Sequence, residues 1–253
     1  MNLSNNTILI TGGTSGIGLE LARQLLAAGN TVLITGRSAS RLAEVRSAVP
    51  ALHTFICDQR DPASIVSACR SISETFPSLN MLINNAGIGR KRNLNETDRP
   101  LDDLEDEIRT NLTGPIQLIN QLLPLLKRQQ RATIVNVTSG LAFVPMALKP
   151  IYCATKAAMH SYTQSLRVQL AKTRVKVVEL APPATGTAFN TDQQDMNAHR
   201  QMDVATLCRA ALRGLEKERD EVLPGASRLI RLIGRISPRT TFKRADAEQM
   251  GTG

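Results

Sequence analysis

Short runs of β-branched and aliphatic residues alternate along this chain with amphipathic stretches, and that alternation constrains the fold more than any other feature. The runs cover residues 7–11, 31–36, 52–58, 81–85, 133–139, 175–180 and, more weakly, 221–223. Between them, apolar periodicity predicts helices at 16–28, 39–48, 62–76, 101–128, 151–172 and 203–217. Pro115 and Pro124 fall inside 101–128, where proline kinks a helix. Near-continuous apolar strands separated by helices belong to a parallel sheet covered on both faces. With 253 residues, 42% of them hydrophobic, the chain can build one sizeable core. This excludes a disordered, collagen-like or disulfide-stapled chain.

Right-handed crossovers turn such a sheet into an α/β, doubly wound, mostly parallel Rossmann layer of about seven strands. Residues 1–225 are read as one such unit, and 226–253 as a basic amphipathic tail. Ligands bind beyond the carboxyl ends of the strands in this architecture. The residues at the end of each run therefore carry the most information. The first run leads into a glycine-rich segment, the second into Gly36-Arg37, the third into Asp58 and the fourth into Asn84-Asn85-Ala86-Gly87. The fifth ends in Thr138-Ser139, and the sixth leads into Ala181-Pro182-Pro183.

Charge and composition narrow the partners. The formal net charge is +9, but six basic residues and no acid lie between Val222 and Arg244, so the rest is only mildly basic. With no Trp, two Tyr and five Phe, the chain lacks the stacking platforms of a single-strand nucleic-acid binder. No nucleic-acid partner is expected. Cys57, Cys69, Cys153 and Cys208 are widely spaced, which suggests neither a metal site nor a disulfide framework. The first residues lack a basic, apolar leader, and no apolar run spans a membrane, so the expected location is cytoplasmic.

Three constellations carry chemistry. Thr11-Gly12-Gly13-Thr14-Ser15-Gly16-Ile17-Gly18 joins the first strand to the first helix, where small residues admit a pyrophosphate to the helix N-terminus. At the end of the second strand, the acid that usually binds the adenosine ribose is missing. Arg37 stands nearby with Ser38 beside it, and a guanidinium pairs well with a 2′-phosphate, which predicts NADP(H). Tyr152 and Lys156 share one helix face, and an ammonium near a phenol lowers the phenol's pKa, giving a general acid/base. Ser139, at a strand end, is placed to hydrogen-bond a substrate carbonyl.

Together, Thr11–Gly18, Asn84–Gly87, Asn111, Ser139, Tyr152 and Lys156 resemble the motifs of the short-chain dehydrogenase/reductase family, in that family's order and spacing over residues 5–190. The resemblance implies a tetrad. Ser139 orients the carbonyl or alcohol, and Tyr152 exchanges the proton. Lys156 holds the nicotinamide ribose, and Asn111 helps a water meet the lysine. It further implies that Asp58 bonds the adenine amino group, and that Asn85, Ala86 and Gly87 lie beside the cofactor. Thr187 meets the nicotinamide carboxamide. Pro183 departs from the family pattern, because it replaces a glycine and removes an N–H. Pro182-Pro183 and the apolar wall 141–148 are similar to a bacterial branch named for the teichoic-acid D-alanylation operon. Residues 190–201 read as a substrate lid.

The expected activity is NADP(H)-dependent interconversion of a carbonyl and a secondary alcohol on a small-molecule substrate. One alternative is a 3-oxoacyl-thioester reductase, with Arg90-Lys91-Arg92 facing an acidic carrier. Another is an NADP-sensing protein without turnover. Leu112, Ile116, Leu118, Ile119, Leu122, Leu123, Leu125 and Leu126 crowd more than one helix face. With the resemblance, they imply a homodimer or homotetramer. The tail is read as a flap over the pocket or a neighbouring subunit. An amphipathic helix on an anionic membrane is the less favoured reading, because Gly234 and Pro238 interrupt a short apolar set.

Overall fold

The computed structural model describes residues 1–93, 102–186 and 201–236. Seven parallel strands form one sheet in the order β3-β2-β1-β4-β5-β6-β7. They are β1 (Thr7–Thr11), β2 (Thr31–Gly36), β3 (His53–Ile56), β4 (Leu79–Asn84), β5 (Ala132–Val137), β6 (Val175–Leu180) and β7 (Glu221–Val222). The order reverses between β1 and β4, so the connections after these two strands diverge and open a crevice at their carboxyl ends.

The alternation of side chains across each strand separates two core layers. Ile8, Ile10, Val32, Ile34 and Val178 point to one face, where α1 (Gly16–Ala27), α2 (Ala39–Ala48) and α7 (Val204–Glu216) cover them. Leu9, Leu33, Leu82, Ile134 and Val177 point to the other, against α3 (Pro62–Thr75), α5 (Gly114–Arg128) and α6 (Pro150–Leu170). Local signals set the helix starts. Asp61 accepts from Ala63 N at 2.9 Å ahead of Pro62, and Asp203 accepts from Thr206 N at 2.9 Å.

The stretch expected as one helix over 101–128 is three pieces. Helix α4 (Asp102–Ile108) leads into a π-helical turn (Arg109–Thr113), and α5 comes next. The cause is Pro115. It has no N–H for the carbonyl of Asn111 four residues earlier, so the chain widens before it rather than kinking after it. The Gly114 N–H bonds the Arg109 carbonyl across the wider turn.

A polar thread crosses the sheet centre. Asn84 Nδ2 donates to Asn136 Oδ1 at 2.9 Å, and Asn136 Nδ2 donates to Thr163 Oγ1 at 2.9 Å, joining β4, β5 and α6. Asn136 is fully buried, so each of these groups depends on the others. Replacing Asn136 with Leu is expected to lower the unfolding free energy by about 1–3 kcal/mol, because the Asn84 donor then stays buried without an acceptor. Urea denaturation of the two proteins measures it.

Candidate active site

The glycine-rich loop between β1 and α1 is shaped by close approach. Gly12 has φ +64° and Gly16 φ +53°, in the left-handed region. A Cβ on Gly12 would lie 2.8 Å from Ala86 Cα, and one on Gly18 would press into the Gly12 carbonyl. Ser15 opens α1 without a side-chain cap, leaving the first-turn amides to an outside acceptor. This bare, positive helix end, reached over a backbone that admits no side chain, fits a dinucleotide pyrophosphate.

Thr11 and Asn85 fasten this loop to the end of β4. Thr11 Oγ1 accepts from the amides of Asn85 and Ala86, both at 3.0 Å, and Asn85 Nδ2 donates back to the carbonyls of Thr11 at 3.0 Å and Gly12 at 3.3 Å. The Asn85 Nδ2 is therefore spent on the loop, although the residue still lines the cleft.

The cleft above these strand ends encloses about 850 Å³. Its floor includes Gly12, Thr14, Ser15, Gly16, Ile17, Ala86 and Gly87. Arg37 and Asp58 lie toward one end, with Ser139, Tyr152 and Lys156 toward the other. Arg37 is exposed. Arg60, hydrogen-bonded to Asp58 at 2.7 Å, holds the Asp58 carboxyl below the usual carboxylate range, and Arg37 adds to the effect. Ser38 stands outside the cleft lining. Its hydroxyl caps α2 by accepting from Arg41 N at 3.3 Å.

Ser139 leaves β5 as the first residue of a tight turn, with its Oγ accepting from Leu141 N at 3.1 Å, and it lines the same end of the cleft as Tyr152. Tyr152 and Lys156 sit on one face of α6, and both are buried. The Lys156 ammonium donates to the Val137 carbonyl at 2.8 Å and lies 5.6 Å over the Tyr152 ring centroid. Burial pushes the Tyr152 phenol above its ordinary value, against the opposing pull of Ser139. The only opposing pull on the phenol comes from Ser139, not from Lys156 as expected, and burial also brings the lysine from 10.5 to about 8.

Asn111 stands behind the cleft, within the π-helical turn. Its Oδ1 accepts from Ile88 N at 2.8 Å, and its Nδ2 donates to Ile88 O at 2.7 Å and to Thr155 Oγ1 at 3.1 Å. It clamps the strand-end loop to α6, the helix of Tyr152 and Lys156. Thr187 lies outside the described residues, as does the expected lid apart from Gln201, which lines the cleft.

Sequence reasoning missed several contributors. Thr11 gave no sign of its double acceptance, which depends on β1 and β4 being neighbours. Gln59 and Lys149 line the cleft, and Lys149 precedes Tyr152 by only three residues. Arg90-Lys91-Arg92 does not form a three-cation surface. Arg90 pairs with Asp103 at 3.0 Å, and Arg92 is buried.

Known proteins match this chain over most of its length. Residues 6–198 match the short chain dehydrogenase family. An uncharacterized oxidoreductase of Bacillus subtilis, DltE, is 42% identical over 224 residues, covering 88% of this chain and 89% of that protein. A short chain dehydrogenase from Burkholderia cenocepacia, solved in complex with NADP, superposes with a TM-score of 0.84 at 25% identity, covering 97% and 99% of the two chains. A 3-ketoacyl-(acyl-carrier-protein) reductase from Brucella melitensis, solved with NADH, gives 0.75 at 26% identity over 89% and 93%.

The buried lysine has a measurable cost. Below pH 8 the folded protein holds a charge out of water. Between about 8 and 10.5 the unfolded chain keeps that proton while the folded one releases it, so stability rises with pH across this window. Lys156→Met is therefore expected to raise the unfolding free energy at pH 7 by about 1–3 kcal/mol, with the gain shrinking toward pH 10. Urea titrations at the two pH values check it.

Proposed function

Because the chain belongs to the short-chain dehydrogenase/reductase family of oxidoreductases, we propose that it reduces the carbonyl of a small molecule to a secondary alcohol using NADPH. The observation that carries this reading is the grouping of Ser139, Tyr152 and buried Lys156 at one end of a cleft whose other end is the glycine loop. When bound, the nicotinamide supplies the hydride. The chain's residues do the rest. Ser139 offers its hydroxyl to the substrate oxygen and so sets the carbonyl's direction. The Tyr152 phenol, kept protonated by burial, gives its proton to that oxygen as negative charge develops there. Lys156 holds the cofactor ribose and passes a proton toward the phenolate left behind. Asn111, whose carbonyl lacks its α-helical donor because of Pro115, anchors the water that completes the relay.

Arg37 supports NADPH over NADH. It projects from the end of β2, where the strand end itself carries no acid for the ribose hydroxyls, and it is exposed enough to swing onto a 2′-phosphate. Asp58, both of whose carboxylate oxygens accept from Arg60, is the acceptor proposed for the adenine amino group. The reading further includes cytoplasmic location and assembly into at least a dimer through α5 and α6, where Ile116 and Leu123 remain only half-buried. A 3-oxoacyl thioester stays a second substrate reading, since a structural relative carries that name. The internal pairing of Arg90 and the burial of Arg92 count against a carrier docking on that loop.

NADPH is expected to bind at least ~10-fold more tightly than NADH, about 1.4 kcal/mol, and Arg37→Asp is expected to reverse the order. Fluorescence titrations decide it, and equal affinities in the unmodified protein would remove the assignment. Tyr152→Phe is expected to keep cofactor affinity while losing roughly 10²–10⁴-fold in turnover over a panel of ketones, aldehydes and oxoacyl thioesters. Retained turnover would mean that another acid serves. No turnover in the unmodified protein would favour the sensing role instead.

A further inference from the structure

Helix α8 (Ser227–Ile236) has three distinct faces. Its inner face packs on the turn just after Ser139. Ser227 is fully buried, and Ile230 lines the cleft. Both approach Gly140, where an added Cβ would stand 3.4 Å from Ser227 Oγ and 3.5 Å from Ile230 Cδ1. Gly234 lies so close to Phe143 and Val144 that a Cβ would fall 2.8 Å from Val144 Cγ2. The glycine expected to interrupt the apolar set is thus the point of closest packing.

The outer face is apolar and exposed. Eight large apolar side chains are exposed among the described residues, and four of them lie on α8: Leu229 at 58%, Leu232 at 56%, Ile233 at 40% and Ile236 at 75%. Their spacing of three, one and three residues places them in a single stripe on a helix of 3.6 residues per turn. The other four exposed side chains are scattered over β3, α3, α4 and α6. Arg228, Arg231 and Arg235 fall together along one flank of the stripe. Arg231 is turned in, paired with Glu221 and set 5.6 Å from the Phe143 ring centroid, whereas Arg228 and Arg235 are exposed.

We propose that this stripe, with its arginine flank, docks on an anionic lipid surface. Two features decide against a second copy of the chain as the occupant. Four side chains fall far short of the roughly 20–30 residues a side that a stable interface engages. An antiparallel pairing of two stripes would also set both arginine rows on the same side, with no acid between Val222 and Ile236 to separate them. A bilayer interface satisfies both features at once. It receives the aliphatic row at the acyl boundary and the arginines at the phosphates. Because α8 is also a wall of the cleft, lipid contact and substrate access share one element.

The test is flotation of the full-length protein with vesicles of phosphatidylcholine, alone or with about a third phosphatidylglycerol. The unmodified protein is expected to float with the anionic vesicles and to be released as salt rises from ~0.05 to ~0.5 M, because charged surface contacts are screened. Leu232→Glu, and separately Arg228→Glu with Arg235→Glu, are expected to weaken partitioning at least ~10-fold. Ile56→Glu, an exposed aliphatic on the opposite edge strand, is expected to change nothing. NADPH binding in each variant reports an intact fold without requiring turnover. Failure of the unmodified protein to float, or flotation of Leu232→Glu at unmodified strength, would overturn the proposal. A fall in assembly mass for Leu232→Glu without any flotation would assign the stripe to a second copy.

Discussion

The double acceptance by Thr11 is the contact on which the cleft depends. One hydroxyl receives the amides of both Asn85 and Ala86, and the Asn85 amide returns to the carbonyls of Thr11 and Gly12. These bonds cross the one place where the strand order reverses, so the two loops that diverge there are held at a fixed separation. The glycine loop then has a rigid counterpart. Gly12 lies too close to Ala86 for any side chain, and the crevice keeps its width along the path a dinucleotide would take.

From that point the polar groups behind the cleft are arranged so that each holds the next. Asn111 reaches from the π-helical turn to both backbone groups of Ile88 and to Thr155 on α6. Asn84, Asn136 and Thr163 tie β4 and β5 to the same helix. Thr138 donates to Glu179 at 2.6 Å, and Glu179 in turn meets His160 of α6 at 2.7 Å. Buried polar groups are expensive unless partnered. A shift of α6 would break several of these bonds together, and this restrains Tyr152 and Lys156 relative to Ser139.

Much of this was legible in residues read one after another. Near-continuous apolar runs predicted the parallel strands, because burial on both faces removes the polar alternation, and period-3.6 patterns predicted their covering helices. The glycine loop, Ser139, Tyr152 and Lys156 stood out because each is a local solution to a local problem: a tight turn, a strand end, or two side chains one helical turn apart. Where prediction and structure part, some causes are local and others depend on distant packing. Pro115 opened a π turn rather than kinking a long helix. Ser38 went to capping α2, and Arg92 was drawn into the interior. The Tyr152 phenol rose in pKa where a neighbouring lysine alone would have lowered it, because desolvation depends on everything packed around the pair.

The amino-acid sequence by itself determined the sheet, the order of its helices and the residue types gathered at the strand ends, since periodicity and turn chemistry act over a few residues. Only the tertiary structure decided which groups meet across the reversal of strand order, how far burial shifts the tyrosine and the lysine, and which face of α8 turns inward. The pattern of leucines, isoleucines and arginines in the tail announces an amphipathic helix. It cannot say that Ser227, Ile230 and Gly234 would seat against the turn after Ser139 and leave Leu229, Leu232 and Ile236 outside. That choice belongs to packing against residues some ninety positions away, which the periodicity of a short segment does not encode.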